Sequence, residues 1–253
     1  MMIKFLGTGT SHGVPVPGCK CDTCTSDDPR NTRYRTSLYV KYEGCCMLID
    51  TPPEHRLQMI EYGPVTPDII LFTHEHADHI MGFDDIRTLN WRKNGHIDCY
   101  SNRRTKERIE KIFSYMFSSS CRASGGLPRA DLHEIDDLPP PYNSFIEPLN
   151  VLHGKSEVLG YRIGPAAYIT DVSEIPSKTR NMLAGIELLI LGVLRREKHP
   201  THLSLREAIE LVDELDVPAV YFVHMSHKLE HKSTNRELPE HINLAFDGLK
   251  LEL

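Results

Sequence analysis

The stretch Thr73-His74-Glu75-His76-Ala77-Asp78-His79 (THEHADH, 73–79) comes directly after the apolar run DIILF at 68–72. An apolar run of that length bounded by polar residues predicts a buried strand, and a strand end delivers the next residues to the rim of a sheet. Along a continuing strand, alternate side chains would diverge to opposite faces, whereas a tight loop can fold His74, His76, Asp78 and His79 round one point. Four nitrogen and oxygen donors so close together exceed what a single open catalytic ion takes from one loop. Two adjacent metal ions fit better. Crowding three imidazoles and a carboxylate together without a cation would be costly.

Working outward, the first third of the chain is rich in β signals: MIKFL at 2–6, SLYVKY at 37–42, CCMLI at 45–49 and DIILFT at 68–73, with Glu43 and Gly44 as a turn between the middle two. Residues 105–117 set Ile109, Ile112, Phe113, Met116 and Phe117 at the spacing of one helical face. The stretch CRASGGLPRADLHEIDDLPPPYN from 121 reads as a surface connection. Strands are then expected near 145–151, 159–163, 166–170, 187–191 and 219–223, with a terminal hairpin closing on LKLEL. Pro176 suits the first turn of a helix ending near Gly185. Leu205, Ala208, Ile209, Val212 and Leu215 stripe another helix, capped by Ser204 with Glu207 three residues on. Two strand-rich halves with intervening helices predict a layered α/β sandwich, its sheets back to back and its helices outside.

At 253 residues, with 25% charged and 40% hydrophobic side chains, the chain suffices for one large core, and a single domain over 1–253 is the expectation. The net charge of -6, from 29 Lys and Arg against 35 Asp and Glu, disfavours bulk electrostatic gripping of nucleic acid and points to small substrates. No apolar run approaches the ~20 residues of a membrane helix, and the opening MMIKFLGTGTSHG meets glycine and polar residues too early for an export signal. A soluble cytoplasmic protein is expected. The 14 His and 7 Cys stand out, and an odd thiol count without an export signal suggests reduced cysteines, used as ligands or buried as apolar groups.

His-x-His-x-Asp-His after a strand resembles the metallo-β-lactamase superfamily of dinuclear hydrolases. The rest of that family's pattern is present in order: Asp50 in MLIDT, His153 in NVLHGK, Asp171 in AYITDVS and His224 in VYFVHMSH. The resemblance implies a four-layer αββα sandwich. It also implies that His74, His76 and His153 hold one metal, that Asp78, His79 and His224 hold the other, and that Asp171 bridges them. Asp50 would sit behind the ligands as an acceptor, or serve structure alone.

A second cluster, GCKCDTCT, places Cys19, Cys21 and Cys24 as Cys-x-Cys-x-x-Cys. Three thiolates can close three corners of a tetrahedron, and His227 is the candidate fourth ligand of a structural zinc, ahead of His231 or an iron-sulfur site. Such a zinc would tie the N-terminal loop to the loop carrying His224. Cys45, Cys46, Cys99 and Cys121 lack ligand spacing and read as small core residues.

GTGTSHGVPVPGCKC at the start together with HMSH late in the chain is similar to the PhnP-like phosphodiesterases of the superfamily. That branch has an extra His before a helix, which here falls in HPTHLSLREAIEL: His202 is the aligned residue and His199 its neighbouring rival. The resemblance implies hydrolysis of small or cyclic phosphodiesters, of the cyclic nucleotide or ribose cyclic phosphate type. His202 and Asp78 would be catalytic, His202 giving a proton to the leaving oxygen, and two divalent ions, zinc or manganese, would activate water. Homodimerisation is also a family expectation.

Two other readings stand beside it. A ribonuclease Z-like endonuclease that processes RNA ends is echoed in HLSLREA, but the 121–141 connection carries two Arg against Asp131, Glu134, Asp136 and Asp137, the wrong charge for an arm that clamps RNA. The basic RRTKERIEK at 103–111 reads as the solvated face of its helix. The third reading is a non-enzymatic binding protein that retains the metal loop. The exact substrate, the choice among zinc, manganese and iron, and the role of His12 stay open, with specificity expected in loops such as 84–96 and 121–141.

Overall fold

The computed structural model describes residues 1–63, 66–117 and 126–253. Two mixed sheets lie face to face. The first has the order β13 (Lys250–Glu252), β1 (Met2–Gly7), β2 (Ser37–Tyr42), β3 (Cys45–Ile49), β4 (Ile69–Leu71), β5 (Ile97–Ser101) and β6 (Ala130–Glu134). The second has β12 (Ile242–Leu244), β11 (Ala219–Val223), β10 (Leu188–Gly192), β9 (Ala166–Ile169), β8 (Ser156–Ile163) and β7 (Ile146–His153). Strand residues alternate between faces, so each apolar run serves two cores. Met47, Ile49, Ile69 and Leu71 meet Leu159, Tyr161, Leu188 and Ile190 between the sheets.

The opposite faces are covered by helices, the first in the chain being α1 (His55–Glu61), which packs through Met59. Leu48, Ile70 and Phe72 pack outward on Ile80, Phe83, Ile86, Leu89 and Ile109, from the helical segments α2 (Ala77–Ile80), α3 (Arg87–Lys93) and α4 (Arg103–Ile112) and the short turn between the first two. Leu189, Leu191, Val220 and Phe222 pack on Leu183, Ala208, Leu211 and Val212, under α6 (Ser177–Met182) and α7 (Leu205–Leu215). The result is the expected αββα sandwich. The capping box is present, Ser204 accepting from the Glu207 N–H while Glu207 accepts from the Ser204 N–H.

The structure corrects several expectations. The helix placed at 105–117 begins at Arg103, because Asn102 caps it by accepting from Thr105 N–H, and it is interrupted at Phe113 before α5 (Ser114–Phe117). Residues 130–134 of the supposed connection form β6, parallel to β5, where its backbone pairing outweighs its polar composition. The 84–96 stretch is mostly helical, not a loop. The terminal strands form no hairpin: β12 runs parallel to β11, and β13 antiparallel to β1 in the other sheet. Pro176 is the cap before α6, not a residue within its first turn. Cys46 and Cys99 are buried as expected and Cys45 is half-buried, while Cys121 lies outside the described residues. Among the described residues no helix is long and apolar enough to cross a membrane.

Strands β3, β4, β5 and β6 run parallel, as do β9, β10, β11 and β12. β7 is antiparallel to β8 and β8 to β9, so β7 shares the direction of β9. Their carboxyl ends therefore reach one rim, where parallel-strand architectures place ligands.

Candidate metal centre

Every residue of the expected centre leaves the carboxyl end of a strand: Asp50 after β3, the 74–79 loop after β4, His153 at the end of β7, Asp171 after β9 and His224 after β11. The loop stays extended through His76 and then closes into α2, which carries Asp78 and His79. Three overlapping donor groups result: His74, His76, His153 and Asp171; Asp78, His79 and His224; and Asp171, His202 and His224.

Asp171 joins the groups through its two oxygens. Oδ1 lies 3.2 Å from His79 Nε2 and 3.3 Å from His224 Nε2. Oδ2 faces the other way, 3.9 Å from His74 Nε2 and 4.0 Å from His153 Nε2. Asp78 Oδ2 stands 3.4 Å from His79 Nε2 and 3.5 Å from His224 Nε2, and His76 Nδ1 is 2.9 Å from His74 Nε2.

The rings are aimed from behind. Asp50 accepts from His79 Nδ1 at 2.7 Å and from the N–H and hydroxyl of Thr73, each at 2.8 Å. His153 Nδ1 donates to the Thr201 carbonyl at 2.8 Å. Both bonds leave Nε2 facing the centre. Asp50 and His224 hold left-handed backbone at φ 61° and 58°, a strained conformation for residues other than glycine and one that clusters at functional sites. Gly154, after His153, has φ 64°, and a Cβ there would fall 2.9 Å from Thr201 Cγ2, against the segment that holds the ring.

Divalent cations fit these donors. Nε2 of His79 and of His224 are buried without a hydrogen-bond partner among the described residues, yet each faces two carboxylates at 3.2–3.5 Å. Donors held about 2.0–2.2 Å from a shared tetrahedral ion are separated by about 3.4 Å. Burial opposes ionisation of Asp171 and Asp78, but the imidazoles of His224 and His79 hold both well below the usual carboxylate range. Burial likewise favours a neutral His79, but Asp78, Asp171 and Asp50 outweigh it and raise the ring well above its usual value. The excess negative charge that such a proton relieves is what a cation would relieve. Burial pushes Asp50 upward and, with His79 second, His74 well downward.

His202 stands against this centre. Its Nε2 is 3.9 Å from Asp171 Oδ2, and its ring stacks on His224 with centroids 4.9 Å apart. Burial first, then His224, push it down to about 3. His199 lies one ring further out, 5.2 Å from His202, and bonds to Thr201.

The cysteine cluster is equally well assembled. His227 Nδ1 lies 3.3, 3.4 and 3.5 Å from the sulfurs of Cys19, Cys21 and Cys24. One ring nitrogen has a single lone pair or hydrogen, so three sulfurs cannot all bond to it directly. A tetrahedral zinc with Zn–S near 2.3 Å and Zn–N near 2.0 Å would set those separations at about 3.5 Å. His231 lies elsewhere, its Nε2 3.0 Å from Asn235 Nδ2, and His12 stands beside His227, not at the His/Asp centre.

Sequence reasoning missed Arg33. It is buried at 1% exposure and donates to the carbonyls of Ser226 and Leu229 at 3.0 and 2.7 Å, clamping the loop that carries His227. Burial lowers its guanidinium to about 10. A lone Arg within the polar stretch RNTRYR at 30–35 carries no periodic signal that would mark it as buried.

An αββα sandwich with these donors on its rim defines a class of metal-binding proteins, and comparison with known proteins agrees. Residues 47–225 match the Beta-lactamase superfamily domain, and the chain belongs to that superfamily. It falls within the PhnP-like branch: a solved structure described as a new diphosphatase from the PhnP family is 39% identical over 100% of this chain and 97% of that one, with a TM-score of 0.91. An octanoyltransferase of Porphyromonas gingivalis is 35% identical over 99% of this chain and 51% of its own length. A ribonuclease Z of Clostridium acetobutylicum is 38% identical over 30% of this chain and 25% of its own. The chain thus spans about half the length of the first of these two relatives and a quarter of the second.

Proposed function

We propose that the protein is a metal-dependent phosphodiesterase acting on small or cyclic phosphodiesters, with a dinuclear centre and a separate structural zinc. The observation that carries this reading is the division of Asp171, one oxygen towards His79 and His224 and the other towards His74 and His153. The similarity to a PhnP-family diphosphatase supports phosphorus chemistry. His74, His76 and His153 would hold one ion and Asp78, His79 and His224 the other, with Asp171 between them. Such ions supply Lewis acidity, lowering the pKa of water and neutralising charge on a phosphoryl oxygen.

The chain's own residues do the rest. Asp50 and the Thr201 carbonyl fix the tautomers of His79 and His153. As a water oxygen bonds to phosphorus and the ester P–O bond breaks, His202 Nε2 gives its proton to the departing alkoxide. An anionic phosphodiester against the ring favours its protonated form. Assayed on bis(p-nitrophenyl) phosphate and on cyclic nucleotides, His202→Ala should lose about 10²–10⁴ in kcat and keep its metal content. Loss of metal together with activity would make His202 a ligand instead, and absence of turnover by metal-loaded wild type would leave a binding protein.

The local match to ribonuclease Z favours a second reading, RNA end processing. Tight binding of a transfer-RNA precursor that weakens steeply with salt would establish it over the first.

A further inference from the structure

His74 and His76 share one tight loop, but His153 must be brought to them from the other sheet. It ends β7, the edge strand of that sheet, while Asp171 follows β9, and β8 lies between the two strands. The end of an edge strand held by one neighbour is where a sheet frays first. His153 Nε2 and Asp171 Oδ2, 4.0 Å apart, therefore depend on something that ties one strand end to the other.

The tie is the segment just after Asp171. Leu152 pairs with Glu157 of β8 on one side and bridges to Glu174 on the other. Its N–H donates to the Glu174 carbonyl at 2.9 Å, and its carbonyl accepts from Ser173 N–H at 2.7 Å. The Ser173 hydroxyl then adds two bonds that straddle the histidine, donating to the Leu152 carbonyl at 3.0 Å and accepting from Gly154 N–H at 2.9 Å. One hydroxyl spends its hydrogen on the residue before His153 and a lone pair on the residue after it. A further bond, from Leu203 N–H to the Val172 carbonyl at 2.9 Å, joins the same segment to the stretch whose Thr201 carbonyl takes the His153 ring. Backbone and ring of His153 are thus both referred to the loop that begins at Asp171.

Resting on the dinuclear reading, we infer that Ser173 is a positioning residue for the ion assigned to His74, His76 and His153, acting through the backbone on either side of His153. Asp78 and His79 are carried by α2 and His224 by the end of β11, so the effect falls on one ion of the two. Removing the hydroxyl strips Gly154 N–H of its bond but leaves Leu152 bonded to the backbone of residues 173 and 174. The strand end stays docked while the turn that sets the ring is released, and a donor displaced from its ion weakens that ion.

The test is how tightly each zinc is held. Chelator competition on the zinc-loaded protein resolves the ions, and His153→Ala marks the step that belongs to His74, His76 and His153. In Ser173→Ala that step should weaken about tenfold while the others keep their wild-type affinity. Ser173→Thr keeps the hydroxyl and should bind zinc as wild type does. Thr179→Val, which removes a 2.6 Å bond from the Thr179 hydroxyl to the Asn150 carbonyl of the same strand, should lower the urea midpoint and leave every zinc step in place. Zinc affinities in Ser173→Ala equal to those of wild type, or equal weakening of both ions at the His/Asp centre, overturns the inference and leaves the dinuclear reading intact. A wild-type His/Asp centre that gives up a single zinc overturns both.

Discussion

His224 and His227 leave the end of one strand and point into two different donor clusters, His224 Nε2 3.3 Å from Asp171 Oδ1 and His227 Nδ1 3.3 Å from Cys19 Sγ. The cysteine loop is therefore an external brace for the backbone that presents His224, and Arg33 holds the same segment through Ser226 and Leu229. His227→Ala should lose one zinc per chain and, with zinc at about 1,000 times its Kd, roughly 4 kcal/mol of stability. Metal analysis and urea unfolding with and without chelator check this, and unchanged zinc content would refute the brace.

Asp50 bonds to His79 Nδ1, on the side of the ring away from the donor cluster, and to Thr73, so it acts on the centre through His79. Asp50→Asn keeps the shape and replaces one acceptor oxygen with a donor. Metal affinity or turnover should fall about 10–100-fold, measured by chelator competition and kcat. A variant indistinguishable from wild type would reduce Asp50 to packing.

His55 is buried at 1% exposure, and neither ring nitrogen has a partner among the described residues. Burial lowers it to about 4. Its folded pKa lies below the unfolded value of about 6.5, so the unfolded chain binds the extra proton between those values. The stability this neutral ring confers is complete above pH 6.5 and is lost as pH falls towards 4. Between pH 7.5 and 5 wild type should lose about 2 kcal/mol more than His55→Met, read from urea midpoints at each pH. Parallel losses in the two proteins would contradict it.

Much of the site was legible because its donors are local or sit just past strand ends. THEHADH announces four donors within one loop, and Cys19, Cys21 and Cys24 share another. Asp171 and His224 come after apolar runs whose double-sided burial is visible as unbroken hydrophobicity. Other features depend on partners distant in sequence. Ala130–Glu134 alternates over only two apolar positions, Ala130 and Leu132, inside a polar, Pro-rich stretch, and becomes a strand through pairing with Ile97–Ser101, where cross-strand pairs such as His133 with Asp98 at 2.9 Å add to that packing. Lys250–Glu252 pairs with Met2–Lys4 at the opposite end of the chain. Arg33 became a clamp only when carbonyls nearly two hundred residues away were brought to it.

Two ions sharing Asp171 and a third held by the cysteines and His227 would give three metal ions per chain. Metal-to-chain stoichiometry by inductively coupled plasma mass spectrometry, on wild type, His227→Ala and Asp171→Ala, tests it most directly. The expected result is three ions per chain in wild type, two in His227→Ala, and fewer than two at the His/Asp centre of Asp171→Ala. A total of two in wild type, falling to one in His227→Ala, would mean a single ion at the centre and would contradict the account.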